Sequence, residues 1–121
     1  MSALASAPSS SLTYAPVLDK RFGPKARIEA RPAKDIATIT LTDRSAYIEV
    51  ARFLRDDPAC AFDLLLDLVS IDLLNAPAPL RPRDGSRFQL HVILYSTRRN
   101  DHLRLIVNLP EQNPRVPTLV N

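Results

Sequence analysis

Two runs near the end of the chain alternate apolar and polar positions with a period of two. In Phe88 to Thr97, Phe88, Leu90, Val92 and Leu94 alternate with Gln89, His91, Ile93 and Tyr95. In Leu103 to Leu109, Leu103, Leu105, Val107 and Leu109 alternate with Arg104, Ile106 and Asn108. Successive side chains of a strand point to opposite faces, so each run predicts a strand with one apolar and one mixed face. Arg98 to His102 is polar and predicts the turn of a β-hairpin. A proline-spaced tail follows.

A different period rules the middle of the chain. Tyr47, Val50, Ala51 and Leu54 fall at i, i+3, i+4 and i+7, one stripe of a helix. Asp43 is placed to accept from that helix's first unpaired amides, and Asp56-Asp57-Pro58 breaks it. Tyr14, Val17, Leu18 and Phe22 predict a shorter helix, with Pro16 in its first turn and Gly23-Pro24 at its end. Lys25 to Arg31 alternates weakly and predicts a half-buried strand; Pro32 to Asp35 reads as a turn. Ile36 to Leu41, rich in Ile and Thr, predicts a second strand.

Pro58 to Leu74 is ambiguous, because short apolar runs fit a helix or a buried strand equally. Asp57 as a cap and Pro58 after it predict a helical turn or two near Ala59 to Leu65, followed by a strand from about Asp67 to Leu73. Asn75 to Arg87, with three prolines and Gly85, is a loop that exposes Arg81, Arg83 and Arg87. Residues 1–13 are Ser-, Ala- and Pro-rich and read as a loose arm. The expectation is a single α+β domain over residues 14–121, two layers in the order α-β-β-α-β-β-β. Its helices pack on one face of a mixed sheet that ends in the C-terminal hairpin.

Composition adds constraints. Aromatics are 6% and Trp is absent, so the core is aliphatic. The net charge of +3 is too mild to imply nucleic acid. Thirteen of the sixteen basic residues are Arg, the side chain suited to forked contacts at interfaces. Cys60 stands alone; it can form no internal disulfide and reads as a small buried hydrophobe. The start of the chain lacks the charged and apolar segments of a signal peptide. Phe62 to Leu74, interrupted by Asp63, Asp67, Ser70 and Asp72, is too short to cross a bilayer.

Candidate chemistry is sparse. Asp63, Asp67 and Asp72 are the one acidic cluster in an apolar run; they could serve as paired acids or a hard-metal site, or mark the solvated side of a buried element. His91 and His102 could approach one another, but no third ligand is evident. Two glycines cannot form a phosphate-cradling loop, and no Ser sits in a GxSxG elbow. The sequence therefore leans against an active site, a metal site or a cofactor site on this chain. Arg98, Arg99, His102 and Arg104 form a basic hairpin tip, which suits protein contact or solvation better than RNA, given that Tyr95 is the one aromatic near it.

The ordered set Phe62-Asp63-Leu64-Leu65-Leu66-Asp67-Leu68-Val69-Ser70-Ile71-Asp72, Arg87-Phe88, Leu94-Tyr95-Ser96 and Leu103-Arg104-Leu105-Ile106-Val107, with the tail Pro114-Arg115-Val116-Pro117-Thr118, resembles a known family. That family is the C-type, or thirty-kilodalton, subunit of NADH:quinone oxidoreductase, which is respiratory complex I. The resemblance covers about Asp43 to Asn121. Leu73 and Val92 stand where the family usually carries aromatics, and the loop from Asn75 to Ser86 is longer than its usual one. The family's Glu-Arg-Glu helix would lie beyond Asn121, which implies an N-terminal domain of a longer subunit.

The resemblance implies an accessory element of the peripheral arm. It would hold no flavin, iron–sulfur cluster or quinone of its own and would pack chiefly against the quinone-site subunit. It would lie on the cytoplasmic side of a bacterial inner membrane and touch the membrane only through the complex. The interface is expected on the outer side of the hairpin and at Arg98, Arg99, His102 and Arg104. Charge reversal at Arg99 and Arg104 is expected to weaken association and leave the fold intact. The competing reading is a free-standing α+β module that binds RNA or protein.

Overall fold

A computed structural model describes residues 15–29, 36–41, 43–82, 84–117 and 119. The expectations for the arm of residues 1–13, Tyr14, the turn Pro32 to Asp35 and Arg83 lie outside them.

The elements follow the expected order: α1 (Ala15–Phe22), β1 (Ala26–Glu29), β2 (Ala37–Leu41), α2 (Tyr47–Asp56), β3 (Leu64–Asp72), β4 (Phe88–Ser96) and β5 (Asp101–Leu109). The five strands form one sheet in the order β1-β2-β5-β4-β3. All neighbours are antiparallel except β2 and β5, which run parallel. The sheet is therefore mixed and the domain is α+β.

Local chemistry sets the helix ends. The Asp43 carboxylate accepts from the Ser45 amide at 3.0 Å and from the Ser45 hydroxyl at 2.7 Å. It thus caps a short 3-10 turn, Arg44–Ala46, that leads into α2. Gly23, at φ 57°, ends α1 in the left-handed conformation that glycine adopts without steric cost.

The core lies on one face of the sheet. Tyr47, Val50 and Leu54 of α2 and Leu18 and Phe22 of α1 are buried there against Ile39 and Leu41 of β2 and the alternate leucines and valines of β4 and β5. Phe22 and Phe53 meet edge to face at 5.6 Å, which places both helices in one layer. The stripe of α1 is narrower than predicted, for Val17 is exposed.

Two expectations are corrected. No helix forms over Ala59 to Leu65. Asp57 caps a single turn, its carbonyl accepting from Cys60 and Ala61 and its carboxylate from the Ala59 amide. Ala61 then takes φ 49° and the chain swings out, so β3 begins at Leu64. Pairing with β4 supplies the backbone partners that a second helical turn would have made internally. The hairpin turn is also tighter than predicted. Tyr95 pairs with His102 and Ser96 with Asp101, so the turn is Thr97 to Asn100 and His102 is a strand residue. Asn100, at φ 54°, makes this possible, and its side chain accepts from the Tyr95 hydroxyl at 2.5 Å.

Candidate docking surface

The acidic residues do not converge. Asp63 binds the amide and hydroxyl of Thr97 at 2.9 and 2.6 Å, tying the start of β3 to the hairpin turn. Those hydrogen bonds hold its carboxyl below the ordinary value. Asp72 makes a forked pair with Arg87, both contacts at 2.9 Å, and Arg87 also reaches Glu111 at 3.2 Å. The Arg87 guanidinium lowers the Asp72 carboxyl in turn. Arg87 is thus drawn into an ion-pair network rather than left on an open loop. Asp67 accepts from its neighbour's amide, Leu68, at 2.8 Å. Among the described residues no three His, Cys, Asp or Glu side chains could share a metal ion.

The basic tip divides as well. Arg98 is exposed at the turn. Arg99 turns to the helix side: its guanidinium donates to the Cys60 carbonyl, pairs with Asp101 at 3.2 Å and covers the Phe62 ring at 4.9 Å. Its side chain is only 19% exposed. Reversing the charge at Arg99 would therefore break internal contacts, contrary to the expectation that the fold would survive it. His102 and Arg104 lie on the opposite face of β5 from the core. His102 stacks on Tyr95, ring centroids 4.7 Å apart. Arg104 is half-buried in register with Ile93.

The outer face of the hairpin is mostly half-buried, and Ile106 on it is buried. His91 there lies 3.0 Å from the Gln89 side-chain oxygen, and Gln89 donates to Asn108 at 2.9 Å. Burial, and secondarily Arg104, push the His91 imidazole below its ordinary value. Cys60 is buried as predicted, and burial raises its thiol to about 12.

The exposed apolar surface lies elsewhere. β3 pairs only with β4 and forms one edge of the described sheet. Leu64, Leu65, Leu66, Leu68 and Val69 all stand out to solvent, Leu68 at 53% and Leu66 at 48%. Leu68 is in register with the buried Val92, on the core side, yet the helical layer does not extend over it. Leu74 and Leu80 extend the exposed apolar surface into the following loop. A cavity of about 180 Å³ opens between α2 and the start of β3, lined by Ile48, Ala51, Phe62, Leu65, Leu94 and Leu119 among others. An apolar expanse of this kind usually marks a site of protein contact.

These leucines escaped the prediction of the interface because a short, mostly apolar run reads as a buried strand. The signal was nonetheless present: a strand apolar on both faces must be covered on both, and this chain has no further element to do so among its described residues. No described helix is long and apolar enough to cross a membrane.

Comparison with known proteins identifies the family of the chain. The family described as respiratory-chain NADH dehydrogenase, 30 Kd subunit, matches residues 40–121. The C-type subunit of NADH-quinone oxidoreductase from Cupriavidus metallidurans is 40% identical over 85 residues, covering 69% of this chain and 42% of its own length. Its counterpart in Cupriavidus pinatubonensis is 34% identical over 110 residues, covering 90% and 53%. The C/D-type subunit of NADH-quinone oxidoreductase from Methylococcus capsulatus is 32% identical over 111 residues, covering 89% of this chain and 18% of its own. The chain thus spans about half the length of the two Cupriavidus relatives and less than a fifth of the Methylococcus protein.

Proposed function

The chain belongs to the 30 kDa subunit family of respiratory-chain NADH dehydrogenases, and from that premise we propose that it is an accessory subunit of the peripheral arm of a proton-translocating NADH:quinone oxidoreductase. Its work is mechanical. It holds the quinone-site subunit and the iron–sulfur subunits in register, so that redox groups carried by those neighbours stay within transfer distance. It contributes no catalytic residue and carries no cofactor; flavin, clusters and quinone belong to its companions. It sits on the cytoplasmic side of a bacterial inner membrane and reaches that membrane only through the complex.

The observation that carries this reading is the apolar edge strand β3. A nine-residue strand with exposed leucines on both faces is costly in water and prone to aggregate unless a partner covers it. The internal bonding of Asp63, Asp72 and Arg99 also favours a scaffold over a reaction centre.

The test is purification of the tagged full-length subunit from gently solubilised membranes of its own cells. The expected result is recovery of flavin, iron–sulfur clusters and NADH oxidation with the tag. Recovery of the subunit alone, or a salt-dependent shift of RNA by it, sinks the reading.

A further inference from the structure

We infer that β3 receives an extended segment of another polypeptide by strand addition along Leu68 to Asp72, with a basic side chain of that segment seated on Asp67. This rests on the docking reading above and specifies how the docking is made.

The backbone geometry comes first. The Leu73 amide, just past β3, donates to the Arg87 carbonyl at 2.7 Å, so it faces β4. Along an antiparallel pair such groups alternate sides. The amides of Leu68, Ser70 and Asp72 therefore point away from β4, at the open edge. Leu68 agrees, since its amide bonds the Asp67 carboxylate and not β4. The outward groups of Ser70 and Asp72 have the spacing that an added strand needs, and an added strand bonds to such a row. A docked helix satisfies its own backbone and would leave this row unmade.

Composition agrees with that geometry. β3 has the makeup of an interior strand, apolar on both faces, at the position of an edge strand. Among the described residues two features blunt the edge. The register shifts between Leu65 and Asp67, which confines a regular ladder to the residues beyond. Asp67 occupies the Leu68 amide.

Asp67 is also the clue to the partner's chemistry. It is an exposed carboxylate set among leucines, with no Lys, Arg or His among the described residues paired to it. Covering it with a purely apolar segment would strand a charge. A segment with a Lys or Arg at that register would neutralise it and draw it off the Leu68 amide, freeing that amide for the new ladder.

Hydrogen exchange on the full subunit, free and in the assembled complex, tests this without any variant. The amides of Ser70 and Asp72 are expected to exchange roughly a hundredfold more slowly in the complex. Two variants add to it. Ser70→Pro removes an outward donor and blocks the path of an added strand, while the β4-facing bonds of Val69 and Ile71 remain. Asp67→Lys places like charge against the partner's base. Each is expected to lower recovery of companions roughly tenfold, with an unchanged circular dichroism spectrum.

A complex that assembles with Ser70 and Asp72 exchanging as fast as in the free subunit overturns the strand addition and leaves the docking reading standing. Protection that appears in the free subunit and grows with its concentration assigns the edge to a second copy and also overturns it. Failure of the unaltered subunit to recover any companion removes both readings.

Discussion

The guanidinium of Arg99 forks onto the main-chain carbonyl of Cys60, with Nε at 3.0 Å and Nη2 at 2.5 Å, across 39 residues of sequence. This contact fastens the β4–β5 turn to the bend that follows α2. It explains how a one-turn excursion with Ala61 at positive φ is held in place.

Arg99→Ala is expected to destabilise the domain by about 2 kcal/mol, because a buried carbonyl loses a charged donor. Arg99→Lys should recover only part of this, having no planar fork. Urea unfolding midpoints measure both. A change in Arg99→Ala no larger than that of an exposed control such as Arg98→Ala would refute the role.

Cys60 is buried and its thiol is pushed up to about 12 by burial. At pH 8 the native domain should therefore resist thiol reagents, and labelling should track global unfolding. Prompt modification of the folded protein would show that the bend opens independently of the core.

Burial and Arg104 depress His91 below its ordinary value of 6.5. The unfolded chain then takes up the proton first. Stability is complete above pH 6.5 and declines as pH falls from there toward the folded value. His91→Leu should remove that slope, and Arg104→Met should raise the imidazole's titration midpoint as followed by NMR. An unshifted midpoint in Arg104→Met would exclude the influence of Arg104.

The Arg87–Asp72 pair gives a linkage of the same sign at lower pH, through an acid held charged rather than a base held neutral. Arg87 holds the Asp72 carboxyl below its ordinary value of 3.8. The pair contributes stability above pH 3.8, and this is lost as pH falls through the folded value. Arg87→Met should be less stable than wild type at neutral pH, with the gap closing in acid. A gap independent of pH would assign the effect to the stem of Arg87, whose guanidinium lies over the Phe88 ring at 4.9 Å.

Much of the fold was legible because it is written locally. Asp43 and the stripe Tyr47, Val50 and Leu54 specify α2, and strict alternation specifies β4 and β5. What was illegible depends on distant partners. The run Leu64 to Asp72 has the same apolar character whether a strand is interior or peripheral; the insertion of β5 between β2 and β4 places it at the edge. Arg99 could not be separated from Arg98 by charge, because its destination, the Cys60 carbonyl, is a main-chain atom that leaves no mark in the sequence. His102 moved from turn to strand because Asn100 accepts a left-handed conformation that shortens the connection.

The parallel contact of β2 with β5, in which Ala37 meets Leu103 and Leu41 meets Val107, has a consequence during synthesis. The second strand leaves the ribosome long before β5 exists, so the edge of β2 that β5 will take stays unpaired while the rest of the domain is made. Closure of that seam is a late, long-range event, and it makes folding of this small domain slow relative to a helical bundle of equal size.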